Sequence, residues 1–391
     1  MSRLPTPVIV ILPLALLAGL LASFYFYDPL EPLKAGFPPI EELTIQRLVL
    51  TPEGISAQVV NGGPEPVTIA QAQVDEAYWE HRVDPSRTLE RLSHATVFIP
   101  YPWVEGEPHA VKLVTSTGLT FEKEIPVAVT TPTPSLGFVM IFAILGIYVG
   151  VLPVGLGLLW FPALRRTPDR WMDFFLFLTI GLLVFLGVDA VEEALEVTEN
   201  IPGAYQGIGL LMIGLVGCFL LLTTLEKKVV GDRREISSAL PLNLAYMVAL
   251  GIGLHNLSEG LAIGAAYTLG NVALGTMLVT GFTLHNTTEG LAIVSPVART
   301  DVSLRHLALL GAVGGVPTIF GAWIGGFVYS DVIALLFLAI GAGAIFQVAC
   351  QIATHMSRRR GGISSLVNIH NFSGLLAGFL IMYATGLFVA M

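Results

Sequence analysis

Long apolar runs dominate the pattern of hydrophobic and polar positions along this chain of 391 residues. The first run covers residues 7–27, which at about 1.5 Å per residue is long enough to cross a hydrocarbon core of about 30 Å. Eight further runs follow a more polar stretch, and they cover residues 136–161, 171–195, 204–225, 240–267, 271–295, 304–329, 331–355 and 370–390. The pattern therefore predicts nine membrane-spanning helices, one of them well separated from the others.

The polar stretch between the first run and the others has the pattern of short β-strands. Its runs of β-branched residues cover 43–50, 55–60, 67–74, 95–99, 110–115 and 120–127. Turn sequences rich in Gly, Pro and Asn separate these runs, for example at residues 61–64. Short strands at this spacing favour a small β-sandwich.

We therefore divide the chain into three parts. Residues 1–27 are an N-terminal membrane anchor or signal segment, residues 28–134 a β-sandwich domain, and residues 135–391 an all-α bundle of eight membrane helices. The sandwich domain contains three isolated histidines, His81, His94 and His109, which we interpret as surface or turn residues rather than a metal site.

The composition agrees with a membrane protein that carries one soluble part. Hydrophobic residues make up 54% of the chain and charged residues 13%, with a mean hydropathy of +0.74. Soluble domains are about 25% charged. The lipid bilayer is thus a predicted partner, and the net charge of −9 gives no sign of nucleic-acid binding.

The charges of the loops predict an orientation. Bases follow the first, third, fifth and seventh of the eight bundle runs, whereas the loops between carry acids, so the basic loops are expected to be cytoplasmic. Arg3 precedes the first run, and Asp28 and Glu31 follow it. We expect a multi-pass cell-membrane protein with its N-terminus in the cytoplasm, residues 28–134 outside the cytoplasm and its C-terminus outside. The first run lacks a small-residue cleavage site, which favours an uncleaved anchor over a signal peptide.

One motif occurs twice, in two neighbouring runs. Residues 255–263 read HNLSEGLAI, and residues 285–293 read HNTTEGLAI. A charged side chain at a bilayer centre costs about 2.5–3.5 kcal/mol, so both copies need a stabilising partner. The histidine and the glutamate of each copy are four residues apart and share one helix face. Because the two helices run in opposite directions, the copies meet at one depth and are related by an approximate two-fold axis in the membrane plane.

The two copies supply the donors of a metal site. Two imidazoles and two carboxylates, from His255, Glu259, His285 and Glu289, suit zinc or another first-row divalent ion. The charge of such an ion would offset the cost of burying the carboxylates. The alternative is a pair of buried His–Glu hydrogen bonds that only hold helices together. The glycine after each glutamate permits close helix approach.

An acidic stripe lies at the outer end of the second bundle run. It consists of Asp189, Glu192, Glu193 and Glu196. Acids this close together would concentrate cations at an entrance. The alternative is a solvated helix end.

A second polar stripe lies toward the inner end of the seventh bundle run. Gln347, Gln351 and His355 recur there every four residues. They could pass metal toward the cytoplasm, or they could form hydrogen bonds between helices.

From about residue 137 to its C-terminus, the chain resembles the Zrt/Irt-like protein (ZIP) family of divalent metal transporters. The resemblance rests on the paired motif, because that family carries H-N-x-P-E-G on its fourth span and a related motif on its fifth. It implies eight spans, both termini of the bundle outside, and a transport centre in mid-membrane. It further implies two metal positions, the first formed by His255, Glu259, His285 and Glu289, and the second by Asn256, Glu259, Asn286 and Glu289.

The chain departs from the family pattern at several positions. Ser258 and Thr288 replace the proline of the motif, and Asn286 stands where the family often has an acid. Val316 precedes Pro317 on the sixth bundle run, where the family often supplies a glutamate. The histidine-rich cytoplasmic loop of many members is missing from this sequence, and the anchor and β domain are additional. We therefore expect one principal metal at this centre rather than two.

The sequence as a whole predicts a transporter, not an enzyme, that moves zinc, iron or manganese into the cytoplasm. The metal is its cargo, and no cofactor is expected. One alternative is an intramembrane zinc metalloenzyme, although the chain has no H-E-x-x-H motif. Another is a metal-responsive receptor whose β domain binds a partner. The sequence leaves open whether the protein forms a homodimer.

Overall fold

The computed structural model describes residues 6–27, 40–230 and 240–390. Helix α1 (Thr6–Tyr27) belongs to a first compact unit, residues 1–40, and the other described elements belong to a second, residues 41–391. The first apolar run falls on α1, a helix of 22 residues. Several predictions fall outside the described residues: the charges of Arg3, Asp28, Glu31, Arg233 and Arg234, and residues 28–39 of the predicted β domain.

The strands of the described chain agree with the predicted β pattern. They are β1 (Leu43–Thr51), β2 (Gly54–Asn61), β3 (Val67–Val74), β4 (Ala77–Trp79), β5 (Arg82–Asp84), β6 (Thr88–Leu89), β7 (His94–Ile99), β8 (His109–Thr115) and β9 (Thr120–Ile125). The six predicted runs correspond to β1, β2, β3, β7, β8 and β9. Strands β4, β5 and β6 have only two or three residues, too few to give an alternating pattern.

The strands form two antiparallel sheets over one core. Their orders are β1-β2-β7-β5 and β4-β3-β8-β9, with β6 beside β3. Side chains from both sheets, including Ile55, Val97 and Leu113, are buried in the shared core. We call residues 41–134 the β part and residues 135–391 the helical part. The boundary between them stays a prediction, because residues 41–391 form one compact unit.

His109 is buried, which corrects the expectation of a surface histidine, whereas the other two histidines of the β part are at least partly exposed. Its Nδ1 lies 2.7 Å from Asp75 Oδ2, which also accepts a hydrogen bond from the Tyr101 hydroxyl at 2.9 Å. The backbone N–H of Ala110 donates to Asp75 Oδ1 at 2.9 Å. Burial alone would raise the pKa of Asp75, but these hydrogen bonds outweigh it and lower the pKa. Asp75 therefore ties the turn after β3 to β8.

Asp75→Ala is expected to lower the free energy of unfolding by about 1–2 kcal/mol, because three donors lose their acceptor. The side chain is 41% exposed, and screening by solvent limits the effect. Since the folded pKa is depressed, the contribution is complete above the ordinary aspartate pKa of about 3.9 and is lost as the pH falls through the folded value. Thermal unfolding followed by tryptophan fluorescence at neutral pH should show a lower midpoint.

Glu76→Ala is the matched control for this change. Asp75 and Glu76 both adopt positive φ, 52° and 65°, so both alanines carry the same backbone penalty. Only Asp75→Ala also removes the hydrogen bonds. Equal midpoints for the two variants would contradict the role given to the carboxylate.

Each of the eight bundle runs falls on one helix of the helical part. These helices are α2 (Leu136–Arg165), α3 (Asp169–Glu199), α4 (Gly207–Val230), α5 (Leu240–Thr268), α6 (Val272–Val294), α7 (Leu304–Val328), α8 (Asp331–Arg360) and α9 (Ile369–Ala390). Among the described residues, α2, α3, α4, α7 and α8 are long and apolar enough to cross a membrane, by length and composition. The polar motifs lower the mean hydropathy of α5 and α6. The count of eight spans therefore stays a prediction.

Two helices are irregular near their middle. Helix α2 contains a π-helical turn at Ile147–Val151, and α7 consists of the segments Leu304–Gly315 and Pro317–Val328. A π turn and a proline both disturb the regular backbone hydrogen bonding of a helix. Carbonyl groups in these regions are therefore available to side chains of neighbouring helices.

Candidate metal centre

Helices α5 and α6 bring the two copies of the motif together. Helix α5 packs against α6, α7 and α8, and α6 also packs against α2. His255, Glu259, His285 and Glu289 are all buried, and each offers a ligand atom such that these atoms lie within 4.8 Å of one another. Two turns of helix that are 30 residues apart in sequence thus converge on one small volume.

Glu259 occupies the middle of this cluster. Its Oε1 lies 3.2 Å from Nε2 of His255 and also contacts Nε2 of His285. Its Oε2 accepts a hydrogen bond from Asn286 Nδ2 at 2.9 Å. One carboxylate therefore touches polar groups of both copies of the motif.

The asparagines cross between the two copies in a reciprocal way. Asn286 on α6 donates to Glu259 on α5, and Asn256 on α5 donates to Glu289 Oε2 on α6 at 2.9 Å. This exchange agrees with the approximate two-fold relation predicted from the sequence. Each asparagine thereby fixes the carboxylate of the other helix.

The same two amides also reach the irregular helices. Asn286 Nδ2 donates to the carbonyl of Val149, in the π turn of α2, at 3.0 Å. Asn256 Nδ2 donates to the carbonyl of Gly314, near the interruption of α7, at 3.0 Å. Both amides are fully buried, so these bonds satisfy donors that would otherwise be costly to bury.

Several buried polar atoms of the centre have no hydrogen-bond partner within the described chain. They are His255 Nδ1, Asn256 Oδ1, Asn286 Oδ1, Glu289 Oε1 and Thr318 Oγ1. Most buried polar atoms in proteins do have a partner, so a group of exceptions at one place is unusual. Lone pairs on oxygen and imidazole nitrogen are the ligands that divalent first-row ions bind. The donor set therefore fits such an ion.

The hydroxyls that replace the family's proline bond to their own helix. Ser258 Oγ donates to the carbonyl of His255, and Thr288 Oγ1 donates to the carbonyl of His285, both at 2.6 Å. Helices α5 and α6 remain continuous at these positions. The hydroxyls therefore find acceptors within their own helices, which no proline interrupts at these positions.

The motif glycines lie where helices touch backbone to backbone. A Cβ on Gly290 would overlap the carbonyl of Val154 and the backbone of Gly157 in α2. A Cβ on Gly260 would overlap the carbonyl of Thr318 in α7. The close approach predicted for these glycines is thus made with the two irregular helices.

The acidic stripe of α3 leads toward the centre. Asp189 lies within range of a charge interaction with His255 and His285, and Glu193 with Asp189 and His255. Glu192 and Glu196 are exposed; Glu192 lies within range of a charge interaction with Asp189, and Glu196 with Glu193. The structure therefore brings two of the four acids of the predicted stripe, Asp189 and Glu193, near the cluster.

The polar stripe of α8 meets an acid that the sequence reading missed. Gln347 Nε2 donates to Glu226 Oε2 of α4 at 3.0 Å, and Gln351 also hydrogen-bonds to Glu226. Both glutamines are buried, and His355 is half-buried one turn further along. Glu226 could have been noticed as an isolated acid at the end of an apolar run, just before the basic pair at 227–228.

Long apolar helices around buried ionisable groups are a common feature of membrane proteins that hold or move ions. No model of a known protein family matches the chain. The chain is similar to zinc transporter ZIP6 of Homo sapiens and of Pongo abelii, at 29% identity over 120 residues in each case. The alignment covers 30% of this chain and only 16% of each relative. The similarity is thus distant and partial, and it agrees with the resemblance drawn from the paired motif.

Proposed function

We propose that this chain carries divalent metal ions across a membrane through the centre formed by His255, Glu259, His285 and Glu289. The observation that supports it best is the convergence of four buried ligand atoms within 4.8 Å, on two helices of opposite direction. Similarity to a zinc transporter supports zinc as one cargo. Iron and manganese belong to the same proposal, because mixed nitrogen and oxygen donors accept several ions.

The proposed route runs from the acidic stripe to the glutamine stripe. A cation would approach along Glu193 and Asp189, exchange water for the four ligands, and leave past Gln351 and His355. The loop charges support inward movement, with residues 28–134 outside the cytoplasm. Asn256 and Asn286 would hold the two carboxylates in place, which favours one principal metal.

Uptake by the purified full chain in proteoliposomes tests this function. Initial rates would be measured for zinc, iron, manganese, cobalt and cadmium. The double variant Glu259→Ala plus Glu289→Ala is expected to reduce uptake to the background of empty liposomes, because it removes both carboxylates from the site.

Glu199→Ala is a suitable control, since Glu199 is exposed at the end of α3 and has no part in the cluster. It should transport like the wild type. Both variants should elute as the wild type does in size-exclusion chromatography. Unchanged uptake by a well-folded double variant would refute transport through this centre.

A further inference from the structure

A cavity of about 450 Å³ lies between the β part and the helical part. Strands β1 and β9 and the residues after β9 form one wall, and helices α3, α5, α6 and α8 form the others. Most of the lining is apolar, and the charged residues that line it are Lys123, Glu124, Glu193 and Glu196. The cavity reaches Ser258, the residue next to Glu259 of the metal cluster.

The β part is attached to the helical part at two turns between helices and at the end of α7. The Glu42 carboxylate accepts a hydrogen bond from Gly203 N, between α3 and α4, at 2.7 Å. The Arg47 guanidinium donates to the carbonyl of Phe327 at the end of α7 at 3.3 Å. Gly270, between α5 and α6, lies so close to the Val127 carbonyl that a Cβ would overlap it. The strands therefore cover the end of the bundle at which the acidic stripe begins.

Lys123 of β9 is a cation fixed in the wall of this cavity. Its Nζ donates to the carbonyls of Ile45 and Gln46, at 3.0 and 2.8 Å, where the register of β1 shifts. Burial lowers the pKa of Lys123, and the nearby Asp331 carboxylate opposes that effect. Lys123 thus lines the same cavity as Glu193 and Glu196, neutral carbonyls hold its ammonium group, and Asp331 is an acid within range of its charge.

We propose that this cavity is the entrance vestibule for the metal and that Lys123 sets how tightly the vestibule holds cations. The proposal rests on the proposed transport function. Acids at an entrance raise the local concentration of cations, but an ion must also leave the entrance to reach the next site. A fixed positive charge on the cavity that these acids line weakens their hold on a divalent ion and keeps the ion mobile.

Lys123→Met in the full chain tests this role, with zinc uptake into proteoliposomes measured against zinc concentration at low and high ionic strength. The apparent KM is expected to fall at least about threefold at low ionic strength, because the opposing charge is gone. The difference should shrink at high ionic strength, where charges are screened. The maximal rate should not rise.

Lys123→Arg is the matched control, because it keeps the charge and the hydrogen-bond donors, and its KM should equal that of the wild type. An apparent KM that is unchanged or raised in folded Lys123→Met would overturn the proposal, and so would a shift that is independent of salt. If Lys123→Met does not fold, Lys123→Gln keeps an amide donor and carries the same expectation. A wild type that takes up no metal would refute the transport function itself, whereas normal uptake with an unshifted KM would refute only the role of Lys123.

Discussion

Glu259→Gln is expected to weaken metal binding to the purified chain by roughly 100-fold, and Glu289→Gln by roughly tenfold. Glu259 contacts both histidines and Asn286, so its charge and its two oxygens hold three neighbouring side chains in place. Glu289 accepts from Asn256 through one oxygen, and its other oxygen has no partner in the part of the chain that the structure describes. Competition with a metal-binding dye in detergent would measure both affinities.

Glutamine has nearly the shape of glutamate, so both variants should keep the fold, and their melting temperatures without metal should lie close to that of the wild type. Glu199→Gln, far from the cluster, should bind metal like the wild type. If Glu289→Gln proves the more damaging of the two, the central position assigned to Glu259 is wrong. If neither change alters the affinity, the cluster is a set of hydrogen bonds that only hold helices together.

The predicted helices and the pairing of the motif follow from simple periodicity. Apolar runs fix where helices form, and a four-residue spacing fixes which side chains share a face. His255 and Glu259 therefore could be paired from sequence, and the antiparallel order of α5 and α6 brings His285 and Glu289 to them. The long strands could be predicted equally well, because β-branched residues alternate along them.

The hydrogen bonds that cross between the two copies of the motif could not be predicted from the spacing of residues in the sequence. Asn256 donates hydrogen bonds to Glu289 and to the carbonyl of Gly314. Asn286 donates to Glu259 and to the carbonyl of Val149. These bonds depend on how α2 and α7 pack around the motif. The family resemblance implied that both asparagines belong to a second metal position, which the departures from the family pattern were expected to weaken. In the structure their amide nitrogens hold carboxylates, and their carbonyl oxygens have no hydrogen-bond partner among the described residues.

The packing of the β part against the helical part could not be predicted from the sequence either. Lys123 alternates with neighbours along an ordinary-looking strand, and its sequence context gives no hint of Asp331 or Glu193. Its position depends on a register shift in β1 and on the docking of turns separated by more than a hundred residues. Long-range packing of this kind leaves no local pattern.

Gly157→Val is expected to prevent correct packing of α2 on α6 and to cost at least about 3 kcal/mol of stability. A Cβ at Gly157 would overlap the Thr287 carbonyl and the backbone of Gly290, and backbone atoms cannot move aside as a flexible side chain can. The loss should therefore exceed that of an ordinary overpacked core. Size-exclusion chromatography of the solubilised protein should show little monodisperse material, and any that remains should melt well below the wild type.

Gly155→Val provides a control within the same helix, because no described atom beyond the neighbouring residues and the helix's own backbone lies within 4 Å of a Cβ placed at Gly155. The two changes add the same side chain to the same kind of backbone, so they share the effect of valine on helix propensity. Only Gly157→Val presses α2 away from the turn of α6 that carries Glu289. If Gly155→Val folds and Gly157→Val does not, glycine is required where α2 contacts α6. Equal yields and equal melting temperatures for the two variants would show that α2 and α6 do not approach as closely as described.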